Sequence, residues 1–176
     1  MNISPILILA MLLALSSAAY FFGRKRAVGV AGGTAGIKNL HSLPSHYGAL
    51  TAMWCGIPAL LIFGCWMAFQ DTVITNLVVN GLPDEVSSLP QDRLNLVVND
   101  IKNLVSGNII SGDVDMTMIK AADHYRDLLG ISKAALCVVV LSLAIAGSLV
   151  ILKMIKPQTR ARNHVERFIK ILLVFC

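Results

Sequence analysis

Three stretches of this chain carry no charged side chain and are each long enough to cross a lipid bilayer, which limits its fold more than any other feature. They are residues 3–22, 48–69 and 134–152. A bilayer's hydrocarbon core is roughly 30 Å thick, and about 20 apolar residues span it as a helix. In lipid no water is present to bond a free N–H or C=O, so such a segment satisfies its own backbone as a helix. A fourth apolar stretch, 168–176, is too short to span. Composition agrees. Hydrophobic residues make up 56%, charged residues 14%, and mean hydropathy is +0.71, whereas soluble domains carry about a quarter charged residues. The expected fold is all-α and polytopic, with spans at about 3–22, 48–69 and 134–154.

Residues 3–22 do not read as a cleaved secretory signal. A signal carries its positive charge ahead of the apolar run, and here Arg24, Lys25 and Arg26 follow it. Basic residues alternate between the connecting segments. Residues 23–47 hold Arg24, Lys25, Arg26 and Lys38 with no acid, and residues 70–133 hold nine acids against five bases. Beyond the third stretch stand Lys153, Lys156, Arg160, Arg162, Arg167 and Lys170 against Glu166 alone. Positive residues favour the cytoplasmic side. The expected topology is therefore N-terminus outside, 23–47 cytoplasmic, 70–133 outside and C-terminus cytoplasmic. The net charge of +5 is then accounted for by membrane anchoring, and no nucleic-acid partner is implied.

Residues 27–37, AVGVAGGTAGI, read as a flexible connector. They fit neither G-x-G-x-x-G nor the P-loop pattern. In the long loop, Leu94, Val97, Val98, Ile101, Leu104 and Val105 follow helical spacing. Asp92 stands at the start and Gly107 at the stop of this segment. A second helix is expected from 113 to 129, with Val114, Met118, Ala121, Ala122, Tyr125 and Leu128 on one side. Together they predict a small extracytoplasmic helical hairpin. Downstream of Pro157, residues 160–170 predict an amphipathic interfacial helix. Its apolar side is Val165, Phe168, Ile169 and Leu172, and its wet side Asn163, Glu166, Arg167 and Lys170.

No catalytic, cofactor-binding or metal-ligating set emerges. The histidines at 41, 46, 124 and 164 are scattered, whereas zinc needs three or four converging ligands. Cys55, Cys65, Cys137 and Cys176 all fall in apolar stretches. Ionisable residues inside a membrane mark ion paths. The three spans have none, so this chain alone is not expected to be a channel or pump. Gly48, Ala52 and Gly56 repeat every four residues, as do Ser142 with Ala146 and Ala144 with Ser148, a spacing that suits close helix packing. Pro44 holds Leu43 extended, Ser45 offers a helix N-cap, and Tyr47 and Trp54 are placed to sit at headgroup level.

Residues 40–66, LHSLPSHYGALTAMWCGIPALLIFGCW, resemble the N-terminal region of phosphate ABC transporter permeases of the PstC type. Leu40, His41, Ser42, Pro44, Tyr47, Gly48, Ala52, Trp54, Pro58 and Ala59 fit that family's pattern. Residues 159–176 resemble its R-x-R-N-x-V-E-R segment through Arg160, Arg162, Asn163, Val165, Glu166 and Arg167. The resemblance implies a non-catalytic membrane part with 160–176 as the start of the permease core. The implied partners are the remaining permease core, a second permease subunit, a cytoplasmic ATPase, a periplasmic phosphate-binding protein and membrane lipid. Family chains continue into a transport core, so this one reads as an N-terminal piece or a split or truncated frame. The alternative is a stand-alone membrane scaffold or regulatory protein that binds other membrane subunits.

Overall fold

The computed structural model describes residues 4–83, 86, 89–107 and 116–175. Within them the chain is all-α, with no strand. The helices are α1 (Pro5–Val30), α2 (Pro44–Asn80), α3 (Gln91–Ser106), α4 (Met116–Met154) and α5 (Ala161–Phe175), with a short 3-10 helix at Thr34–Asn39. Helices α1, α2 and α4 are long and apolar enough to cross a membrane.

The helices outrun the uncharged stretches that announce them. Ser4 caps α1 by accepting the Leu7 N–H at 3.2 Å, and Pro5 sits where a missing N–H costs nothing. Arg24, Lys25 and Arg26 then continue α1, since straight-chain residues are good helix formers. The stretch 27–37, expected to be a flexible connector, is largely helical. Ala27 is fully buried, α1 runs to Val30, and Gly32 and Gly33 turn the chain at φ 85° and 94°. Gly33 combines φ 94° with ψ −170°, a region open essentially to glycine.

With 37 residues, α2 extends about 55 Å, well past the bilayer core. It starts at Pro44 itself, so Ser45 lies inside the first turn and does not cap it. The second hairpin helix is not a separate element. Residues 116–129 are the first turns of the 39-residue α4, because neither Gly130 nor Ser132 interrupts the backbone bonding. The predicted linker and the start of that helix, 108–115, lie outside the described residues, as does Cys176.

The described chain falls into two compact units. The first spans Gly64–Leu136. Its core joins Ile74 and Val78 of α2, Ile101 of α3, and Ala121, Ala122 and Tyr125 of α4. Most of the helical face read from sequence in α3 is packed, with Leu94, Val97, Leu104 and Val105 against this core, while Val98 is not part of it. Lys102 Nζ donates to Asp71 Oδ2 at 2.8 Å and Tyr125 Oη to Asp71 Oδ1 at 3.2 Å. Arg126 donates to the Leu104 carbonyl at 3.1 Å, closing the end of α3 where Gly107 takes φ 74°. Lys102 and Arg126 are thus tied into the unit and are not freely solvated charges.

The second unit holds Ser4–Phe63 and Cys137–Cys176. Small residues set its helix spacing. A Cβ on Gly48 would meet the Tyr20 carbonyl and ring, and one on Gly23 would overlap Thr51. Gly56 faces Ser16, so the Gly48–Ala52–Gly56 stripe is the surface that α1 approaches. On α4 the close approach belongs to Gly147, where an added Cβ would overlap the Trp54 carbonyl. That carbonyl lacks its usual partner four residues on, because Pro58 has no N–H. Ala144 is fully buried, while Ser142 and Ala146 are exposed.

Candidate functional site

In the second unit, the two segments singled out by resemblance meet each other. The chain enters α2 through Leu40, His41 and Ser42 and leaves α4 through Pro157, Thr159 and Arg160. The His41 N–H donates to the Pro157 carbonyl at 3.1 Å. Tyr47 Oη donates to the Thr159 carbonyl at 2.8 Å and, more weakly, to that of Pro157 at 3.4 Å. Ser42 Oγ accepts the Arg162 N–H at 3.3 Å. A helix start leaves four N–H groups without intrahelical partners. Arg160, just ahead of α5, is not a capping residue type. Ser42 supplies the missing acceptor from a strand of chain 120 residues away.

Beneath these bonds lies an apolar cluster of Ala27, Tyr47, Leu50, Ile151, Ile155 and Ala161, flanked by Leu40, Leu152 and Val165. The Tyr47 ring is fully buried between helices and is not an exposed aromatic. Its ring fills the space between three helices, and its hydroxyl reaches the turn beyond. Trp54 is partly exposed and meets Phe168 edge-on, with centroids 6.0 Å apart, a favourable aromatic arrangement.

Helix α5 is amphipathic as expected, but its packed stripe is turned slightly. Ala161, Val165 and Phe168 face the unit, spaced by four and three, whereas Ile169 is exposed. The side chain of Leu172 lies outside the described residues. Asn163, Glu166, Arg167 and Lys170 are exposed, in line with the predicted wet side. Arg162 Nε lies 2.6 Å from Glu166 Oε1, one turn along the same exposed face. That guanidinium holds the Glu166 carboxyl below its ordinary range. Solvent screening leaves such a pair little influence on stability.

Of the residues chosen from sequence, Leu40, His41, Ser42 and Tyr47 converge on this clasp, together with the backbone of Arg162. Pro44 opens α2, Gly48 admits α1, and Pro58 frees the carbonyl facing Gly147. The side chains of Arg160, Asn163 and Arg167 stand outside the contact. Sequence reasoning missed Ala27, Thr159, Ala161 and Gly147, and placed Phe168 on the apolar side of its helix without its partner Trp54. Only small size at a helical interval marks the alanines and the glycine in sequence, and the Thr159 carbonyl leaves no mark there. The groups that converge are backbone carbonyls, a phenol and a hydroxyl. They suit fixing the path of the chain from α4 into α5.

A family model described as "Phosphate ATP-binding cassette transporter" matches residues 9–176, which include both sides of the clasp. No curated protein and no solved structure matches the chain.

Proposed function

The chain belongs to the phosphate ATP-binding cassette transporter family, and on that premise we propose that it is the N-terminal membrane part of a PstC-type permease subunit. The clasp between residues 40–47 and 157–162 carries this reading. It binds the entry of α2 to the exit of α4, and so sets the direction in which α5 leaves. A permease needs such a fixed departure point if α5 is to lead into a transport core. In this reading the protein lies in a bacterial inner membrane with 23–47 and 155–176 in the cytoplasm and 70–133 in the periplasm. Its partners are the remaining permease core, a second permease subunit, a cytoplasmic ATPase and a periplasmic phosphate-binding protein. The absence of charge from 3–22, 48–69 and 134–152 supports a supporting rather than an ion-conducting role.

Reconstitution tests the proposal. Vesicles holding residues 1–176, the ATPase and the binding protein should take up no phosphate. Adding the remaining permease segments and the second permease subunit should produce ATP-dependent uptake, with residues 1–176 co-purifying with the complex. Uptake without the added segments would overturn the proposal. So would full activity of the complex with residues 1–176 left out.

A further inference from the structure

Beside the clasp, α2, α4 and the start of α5 line a partly open cavity of about 230 Å³. Leu50, Trp54, Val150 and Met154 supply apolar wall, and Thr159 and His164 are its polar groups. It is smaller than the roughly 300–1,000 Å³ of drug-sized ligand pockets, and its mostly apolar lining suits a hydrocarbon chain. We propose that it holds an acyl chain of an anionic phospholipid whose phosphate is met by Lys153, Lys156 and Arg160. The proposal needs the chain to lie in a bilayer and does not depend on the transport reading.

Charge selects this occupant. Lys153, Lys156 and Arg160 directly neighbour the lining residues Met154, Ile155 and Thr159 in sequence, and all three are exposed. No acid occurs from residue 153 to 165. Glu166 beyond them is engaged with Arg162, and among the described residues these three bases make no ion pair. A second copy of the chain docked here would bring the same three bases toward these, and like charges repel. A lipid brings the opposite charge. Its tail adds little selectivity, since lipid tails are as apolar outside the cavity as within it. Preference must therefore come from the headgroup, as in basic pockets between membrane helices.

Trp54 reports on the cavity from its own wall. The chain has two tryptophans, so the full 176-residue protein with Trp66→Phe has one indole. It is titrated in detergent micelles with phosphatidylglycerol or phosphatidylcholine brominated on the acyl chain, which quenches fluorescence on contact. Quenching should saturate, and the anionic lipid should act at a lower mole fraction. Replacing Lys153, Lys156 and Arg160 with Gln should erase that preference, by about tenfold to a hundredfold. Val150→Phe, which fills the cavity, should abolish saturable quenching by both lipids. If circular dichroism shows the triple variant misfolded, Lys156→Gln alone must still reduce the preference several-fold. Equal, non-saturating quenching by both lipids overturns the proposal. So does a Trp54 shielded from both lipids by a second copy, seen as a doubled mass in light scattering.

Discussion

Tyr47→Phe tests whether the clasp is held by the phenol or by the ring. The hydroxyl donates to the carbonyls of Thr159 and Pro157. Each of those carbonyls keeps another donor, the Ala161 N–H at 2.9 Å and the His41 N–H at 3.1 Å. Neither is orphaned by the change, so the loss should stay near the net value of one hydrogen bond, about 1 kcal/mol, or about fivefold in the opening equilibrium. Tyr47→Ala also empties the space of a fully buried ring, and such truncations cost about 3–5 kcal/mol. Packing should therefore outweigh the hydrogen bond by a factor of several. The assay is amide hydrogen exchange on the full chain in detergent, read at the His41 and Arg162 N–H groups that close the clasp. Tyr47→Phe should speed both about fivefold and Tyr47→Ala more than a hundredfold, while amides in the middle of α3 keep their rates. Equal acceleration by Phe and Ala would refute the ranking. No change at either amide with Ala would refute the clasp itself.

Gly147→Ala should lower the unfolding midpoint in detergent, since overpacking against backbone costs about 1–3 kcal/mol and outweighs a propensity gain of at most about 1 kcal/mol. Gly64→Ala, where an added Cβ meets nothing within 4 Å, should leave the midpoint unchanged or raise it, and the opposite order would refute the packing argument. The Glu166 carboxyl is held below its ordinary range in the folded chain, so whatever its pair with Arg162 contributes is present above that range and lost as pH falls through the lowered value. Because both groups are solvent-screened, Glu166→Gln should match the parent midpoint at neutral pH, and a clear drop there would show the pair to be more than a surface contact. With single cysteines placed in a cysteine-free background, an impermeant reagent added to the periplasmic side should label position 99 and spare positions 38 and 158. The reverse pattern would invert the proposed topology.

The spans were legible because lipid imposes one rule on every residue of a stretch: a run without charge needs no partner to be recognised. Helix ends were less legible, since charge marks where the apolar run stops, not where backbone bonding stops. Thus α1 passes through Arg24–Arg26, and α4 begins well before residue 134. The face of α3 could be read from Leu94, Val97 and Ile101 because its periodicity is local. The role of Tyr47 could not. An aromatic near the end of a span looks the same whether it meets headgroups or a turn 112 residues away. Likewise, the sequence could single out Ser42 but could not show which helix it caps. The residues of the clasp were largely chosen in advance by resemblance. Their meeting depends on long-range pairing that no local pattern encodes.

The approach of Gly147 to the carbonyl that Pro58 leaves bare has a consequence for assembly. Membrane helices insert first and find their partners afterwards, and a smooth apolar surface offers many nearly equal alignments. A slip of one residue turns a helix by about 100°. It would bring the side chain of Ala146 or Ser148 to the place where only a hydrogen fits. Proline on one helix and glycine on the other therefore act as lock and key, selecting a single alignment from neighbours that hydrophobicity alone does not tell apart. If so, the damage done by Gly147→Ala should shrink when Pro58→Ala restores the missing N–H and draws the Trp54 carbonyl back into its own helix.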